Sequence, residues 1–490
     1  MIFRTLLALL LLSMSLPGFA HSFGVVYTLP VPFWLYGWGA SAALVASFLV
    51  VGYFSQQHPA GTQPWTRDIS HSPFIVVLRK IRFIGLLRAL SVGALALCIA
   101  TGLWGSPEAY DNFNMTFFWI VFVLGFSYLT ALVGNLFDAI SPWKILSLLI
   151  GKLSATYERG LFTYPLRLAY WPALLAYIGF IWIELFGKTS PESLAWLLVF
   201  YSVWNIVGAG VFGRRDWFAY CEFFAVFLRL LATMAPIDYR AGEGNSSSRL
   251  LLRKPFSGTL SIPVSQLSLV VFILFMLSST AFDGLHETLV WKKLFWRDLY
   301  LSHLQYLTST NPLAAFPAMA RLYGHWQSVW LVVSPFLYLA IYMLFIALTR
   351  YAASNQSAVT PSTRELALRF APSLLPIALV YHIAHYYTLI QTQGVKIINL
   401  ASDPFGNSSD WFGTANWLRG SIVPDLTTVW HSQVGLIVLG HIVSVYLAHR
   451  IALTTFPKHK QALRSQLPML VLMVFFTTAG LWILSKPIGS

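Results

Sequence analysis

The run VSQLSLVVFILFMLSSTAFDG, Val264–Gly284, contains one charged residue, Asp283, near its far end. At ~1.5 Å of rise per residue, about 20 apolar residues cross the ~30 Å hydrocarbon core of a bilayer. A helix on the surface of a soluble protein carries a charged stripe, whereas this run carries no charge until its last turn. Similar runs recur along the chain, at about 31–54, 82–105, 114–137, 164–187, 193–213, 326–350, 369–392, 429–453 and 467–486. Of 490 residues, 57% are hydrophobic and only 10% charged. Soluble domains average about 25% charged residues. The expected fold is therefore all-α, a polytopic transmembrane helix bundle of about ten crossings with the lipid bilayer as its partner.

The net charge of +14 raises the question of nucleic acid, but the basic residues are spread through short loops rather than gathered in a patch. Nucleic acid is not expected as a partner. Cys98 and Cys221 lie in apolar runs without a CxxC spacing, which argues against a thiolate metal site or a disulfide framework. Met1–Ala20 has the parts of a signal peptide: Arg4, the apolar stretch Thr5–Leu16, and the small-x-small site Gly18-Phe19-Ala20. Cleavage after Ala20 would make His21 the first residue of a single integral-membrane domain, 21–490. The alternative is an uncleaved anchor helix.

One further run, Trp217–Met234, carries Glu222 and Arg229 and stops before Pro236. Lysine and arginine counting decides its status. With the mature N-terminus outside and this run not crossing, the inner loops hold Arg67, Arg79, Lys80, Arg214, Arg215, Arg249, Arg253, Lys254, Lys458, Lys460 and Arg464, among others. The outer loops hold far fewer, including Lys188, Lys292, Lys293, Arg321 and Lys396. If the run crossed, every later loop would change sides and the bias would collapse. Trp217–Met234 is thus expected to be an interfacial or re-entrant helix. Both termini are expected in the periplasm, with the bundle in the bacterial inner membrane. Leu285–Gly324 reads as an amphipathic helix on the outer surface, and Gly394–Thr427 as a polar outer loop that covers something.

Ionisable groups inside a membrane are costly and mark interior or wet sites. His382 and His385, in VYHIAHYYT (Val380–Thr388), lie roughly 15 and 10 Å below the outer end of their helix at ~1.5 Å per residue. His441 enters the next, oppositely directed helix to nearly the same depth. Asp283, His286 and Glu287 end a crossing at the outer rim, His431 opens a helix there, and His21 would begin the mature chain there. Imidazole suits zinc, copper, iron and nickel, and a catalytic zinc takes three protein ligands and one water. His382, His385 and His441 are the candidate metal ligands, with His431 and His21 as an alternative copper pair. Asp283 or Glu287 is the candidate general base, and His286 or His431 the charge stabiliser. The same histidines also suit plain hydrogen bonding between helices. His449-Arg450 reads as interfacial solvation, Asn135 and Asp138 as an inner-edge helix cap, and Pro142-Trp143 as an interfacial anchor. Glu222 is expected to pair with Arg229 or a loop arginine.

Four segments carry a family resemblance: AHSFGVVYTLPVPFWLYGWGA (Ala20–Ala40), LSSTAFDGLHET (Leu277–Thr288), YHIAHYYTLIQTQG (Tyr381–Gly394) and WHSQVGLIVLGHIVSVYLAHRIAL (Trp430–Leu453). In these segments the chain resembles the bacterial integral-membrane family named for fenitrothion hydrolysis. The resemblance implies cleavage of the P–O bond between an organophosphorothioate and its aryl leaving group, and a second membrane subunit as partner. The leading expectation is a membrane-embedded, metal-dependent hydrolase, using zinc or copper, that takes a small hydrophobic substrate such as an organophosphate triester. The other readings are a periplasm-facing copper or zinc handling or transport protein, a b-type haem protein, and a non-catalytic membrane subunit.

Overall fold

The computed structural model describes residues 31–54, 65–240, 249–308, 311–354, 361–417 and 425–486. The signal peptide, its cleavage site and His21 lie outside them. The helices that build the bundle are α1 (Phe33–Phe54), α2 (Phe83–Trp104), α3 (Phe113–Val133), α4 (Trp171–Phe186), α5 (Pro191–Phe212), α6 (Phe223–Ala232), α7 (Leu267–His286), α8 (Pro312–Ser354), α9 (Thr363–Thr392), α10 (Leu426–Thr455) and α11 (His459–Leu484). Among the described residues, nine of these are long and apolar enough to cross a membrane. The two others are α4, with 16 residues, and α6, with 10. The multi-pass, all-α architecture is that expected from composition.

Helix starts follow local chemistry. Ser190 and Ser193 form a reciprocal capping box at α5, with Pro191 in the first turn. Ser362 caps α9 and Asp425 caps α10, each by accepting an amide three residues on. Burial sorts the helices into layers. The most apolar window of α7 is 89% buried, whereas that of α2 is 6% buried. Helix α7 is therefore the axis of the bundle, and α2 a peripheral helix presenting apolar side chains outward.

A small antiparallel sheet was not expected. Strands β1 (Thr66–Asp68), β2 (Ile237–Arg240) and β3 (Arg249–Arg253) pair in the order β1-β3-β2. They are too short to show alternation in sequence, yet they settle a topological point. β1 lies in the α1–α2 connection. The four helices α2 to α5, of which α4 is the short one, return the chain to that end, and the sheet holds residues 237–253 there as well. The segment between α5 and β2 therefore makes no net crossing, as the lysine and arginine distribution implies. It does not lie on the surface either. Helix α6 buries Phe223, Phe224, Val226, Phe227, Leu228, Leu230 and Leu231, and packs against α3, α4 and α9. It is a half-length helix enclosed by the bundle, so the re-entrant alternative describes it and the interfacial one does not.

The aromatic side chains around α6 correct two expectations. Trp143 is buried rather than interfacial, stacked on Phe224 at 5.8 Å and donating its indole N–H to Ser202 Oγ at 3.0 Å. Glu222 does not pair with Arg229. Its carboxylate accepts the Tyr201 hydroxyl and the amides of Phe224 and Ala225, while Arg229 donates to the Ala219 carbonyl. Asn135 caps Leu136–Ile140 as expected, and Asp138 pairs with Lys144.

After α7 the chain turns through Leu289–Lys293 and the wider π-helical coil Leu294–Leu304, which folds back on the first turns of α8. Trp291, Phe295 and Tyr300 face inward, while Leu289, Val290, Leu294 and Tyr306 stay exposed, giving the expected amphipathic character. The Gly394–Thr427 loop docks through the Phe405 carbonyl, which accepts the Ser106 amide at 2.7 Å beside the end of α2. Asp403 organises this loop. Burial pushes its carboxyl up, but the Ser409 hydroxyl and the amides of Asn407, Ser408 and Ser409 outweigh that and hold its pKa below the ordinary 3.8.

Helices α9 and α10 run antiparallel in direct contact. A Cβ built on Gly440 would lie 2.2 Å from Val380 Cγ2, and Gln433 donates to the Ala384 carbonyl at 2.9 Å. Gly440→Val should force the pair apart and lower stability by ~1–3 kcal/mol, read as a lower melting midpoint in detergent. Val380→Ala should restore part of the loss, and no change in midpoint would contradict the packing. A second expectation concerns pH. Because the folded pKa of Asp403 is depressed, its contribution is complete above 3.8 and is lost as pH falls through the folded value. Amide protection at Asn407 and Ser408, corrected for intrinsic exchange, should fall in that acid window and be insensitive to pH above it. Asp403→Asn should abolish the transition.

Candidate functional site

The last turn of α7 places Asp283 and His286 at the rim of the bundle interior, both buried. The middle of α9 faces it with His382, His385 and Tyr386. Gly284 lets α11 pack close beside this turn, since a Cβ there would lie 2.6 Å from Ile483 Cγ2, while His385 Cε1 at 3.6 Å would be in ordinary contact. His385 Nε2 then reaches Asp283 Oδ2 at 2.8 Å. The Tyr386 hydroxyl donates to the same oxygen at 2.6 Å and lies 3.1 Å from Glu184 Oε1 on α4. One phenol thus spans two carboxyl groups from different helices.

His382 points elsewhere. Its Nδ1 meets the Tyr128 hydroxyl of α3 at 3.0 Å, and its ring lies 4.8 Å from that of Tyr386. A small void of about 10 Å³, scarcely more than room for one water, lies beside His382, Tyr128 and Met276. His286 stacks on Phe282 at 5.5 Å, donates from Nδ1 to the Asp283 carbonyl at 2.7 Å, and reaches Glu287 Oε1 with Nε2 at 3.2 Å. Lys292 Nζ lies 3.6 Å from the other Glu287 oxygen.

The expected residues are thus partly united. Asp283 and His385 are bonded, with His286 at the next turn of α7 and Glu287 joined to His286. His441 is not part of this group. From the Gly440–Val380 contact it lies roughly three residues, or ~4.5 Å, deeper than His382. Its Nδ1 serves the Ile437 carbonyl at 2.8 Å, and its Nε2 is buried without a hydrogen-bond partner among the described residues. His431 is exposed at the start of α10, bonded to the Thr427 carbonyl and 3.3 Å from the Tyr36 hydroxyl.

These partners bear on the cofactors. One ring nitrogen of each of the three histidines is engaged: His385 Nε2 by Asp283, His382 Nδ1 by Tyr128 and His441 Nδ1 by the Ile437 carbonyl. Among the described residues, no three His, Cys, Asp or Glu side chains are gathered as metal ligands. The three histidines are thus not gathered around one point, and Gly440 and Val380 are in close contact between α9 and α10.

Sequence reasoning missed Tyr386, Glu184 and Tyr128. Glu184 was visible as a carboxylate inside the apolar run WPALLAYIGFIWIELF, and Tyr386 adjoins His385. Their convergence required the packing of α3, α4, α7 and α9. His449 was also misread: it is fully buried and bonded to Gln466 of α11 at 3.0 Å rather than solvated.

Comparisons with protein-family models, curated proteins and solved structures gave no match.

Chemically, the Tyr386 phenol is the bridge of the cluster. A single hydroxyl hydrogen cannot be donated fully to two carboxylates at once. Two ionised carboxylates held this close in an apolar interior are also costly, so sharing of a proton among Asp283, Tyr386 and Glu184 is favoured. Tyr386→Phe and Glu184→Gln should each lower stability in detergent by ~1–3 kcal/mol. The double variant should lose less than the sum of the two, because both remove the same bridge. Strict additivity would show that the bridge is not an energetic unit.

Proposed function

We propose that this chain is a proton-exchanging integral-membrane protein. Its working centre is the Asp283–Tyr386–Glu184 bridge with His385 bonded to Asp283, in the outer half of a bacterial inner membrane, both termini periplasmic. The observation that carries this reading is the one phenol serving two carboxyl groups, Asp283 buried and Glu184 half-buried. Intramembrane acids joined by hydroxyl and imidazole groups are the usual parts of proton relays and proton-coupled solute pathways. His385 takes up or releases the proton that Asp283 holds, and Tyr386 passes one between the two carboxyls. Such a centre couples protonation to the handling of a small solute reached from the outer side.

A second reading is favoured by the Asp283–His385 pair, which is the carboxylate–imidazole unit of a general base, and by the resemblance to the fenitrothion-hydrolysing family. On this reading the imidazole activates water against a hydrophobic phosphotriester that enters sideways from the bilayer. The two readings share one centre and separate in experiment. Infrared difference spectra of purified protein, taken across neutral pH, should contain a protonated carboxyl band that disappears in Asp283→Asn or Glu184→Gln. Spectra without such a band at any pH would overturn the proton-exchange reading. Release of nitrophenol from a nitrophenyl phosphotriester, lost in His385→Gln, would establish the hydrolase instead. Elemental analysis beside that assay decides whether zinc or copper takes part.

A further inference from the structure

Far from the Asp283 centre, α8 and α11 part at the end of the bundle that lysine and arginine counting assigns to the cytoplasm. They leave a groove of about 560 Å³ lined by Phe345, Leu348, Tyr351, Arg464, Leu467 and Val471. Its walls are apolar along most of their length, and Leu348, Leu467 and Val471 are exposed. Arg464 stands at one end, exposed and without an ion pair among the described residues. Arg350, at the same end of α8, is likewise exposed and unpaired. No aspartate or glutamate occurs in the whole of α8 or α11. Pro468 sits one turn beyond Arg464 and has no N–H, so the Arg464 carbonyl loses its helical partner.

We propose that this groove is a binding site for one anionic phospholipid. The acyl chain lies along Phe345, Leu348, Leu467 and Val471, and the headgroup phosphate meets the Arg464 guanidinium. Three features select this occupant. The groove faces outward from a membrane-spanning pair of helices, so lipid is the solvent there. Its apolar length ends in a cation, which matches the polarity of a phospholipid. The cation has no carboxylate to satisfy it, so a phosphate is its natural counter-ion, and basic pockets between helices at the cytoplasmic end bind such headgroups.

The test is native mass spectrometry of the full-length protein, released from mixed detergent–lipid micelles containing equal phosphatidylglycerol and phosphatidylcholine. Wild type should retain phosphatidylglycerol about fivefold over phosphatidylcholine, the preference expected from one basic group at an anionic surface. Arg464→Gln should abolish the preference, Arg464→Lys should keep most of it, and Arg321→Gln, at the opposite end of the bundle, should leave it intact. Leu467→Trp, which fills the groove but spares the cation, should reduce retention of both lipids. Inorganic phosphate should not compete. Equal retention of the two lipids by wild type, or an undiminished preference in Arg464→Gln, would overturn the proposal. Displacement by inorganic phosphate would overturn it too, because it would reveal an anion site that needs no acyl chain.

Discussion

A carboxyl group inside an apolar bundle has to be supplied with hydrogen-bond donors, and the arrangement of α3, α4, α7 and α9 can be understood from that requirement at Asp283. Without compensation, burying a carboxylate costs several kcal/mol or more. Here the compensation comes from α9, through His385 and Tyr386 on adjacent residues, and Tyr386 extends it to Glu184 on α4. Gly284, beside Asp283, lets Ile483 of α11 close over the same turn. Helix position and protonation are thus coupled. A shift of α9 that breaks the Tyr386 contact changes the proton affinity of both carboxyl groups, and a change in protonation alters the force holding α9 in place.

The rest of the bundle is built so that this polar centre is the exception. Around α6, Trp143, Tyr201, Phe122, Phe180, Phe223 and Phe224 pack edge-on and stacked with centroids 4.0–6.3 Å apart. Even Glu222 is absorbed into structure here. Two backbone amides and a tyrosine satisfy it as the N-cap of a helix that ends inside the protein. The two buried acids differ in their partners. Glu222 takes two backbone amides and the Tyr201 phenol, whereas Asp283 takes the Tyr386 phenol and the His385 imidazole.

The sequence was most legible where bilayer physics is strictest. Uncharged runs located the crossings, and basic loops identified Trp217–Met234 as a segment without net crossing, which the β1-β3-β2 sheet supports by tying residues 237–253 to the α1–α2 connection. It was less legible where a decision depends on azimuth. Depth along a helix is a linear function of residue number, so placing His441 near the level of His382 succeeded to within about one helical turn. The direction of a ring is set by neighbouring helices, and His382, His385 and His441 turn to three different partners. Trp143 and His449 failed for the same reason. Both sit near the ends of apolar runs, where an interfacial location is the default, and both are covered by a helix distant in sequence.

The position of the centre on α7 carries a further consequence. Asp283 lies within the last turn of its helix, where the backbone carbonyls already present negative potential. The rim answers with positive or ionisable groups in sequence: His286 one turn on, bonded to the Asp283 carbonyl, then Lys292 drawn toward Glu287. These groups lie between Asp283 and the end of the bundle, so they form a graded series from a fixed cation at the surface, through an imidazole, to the buried carboxyl.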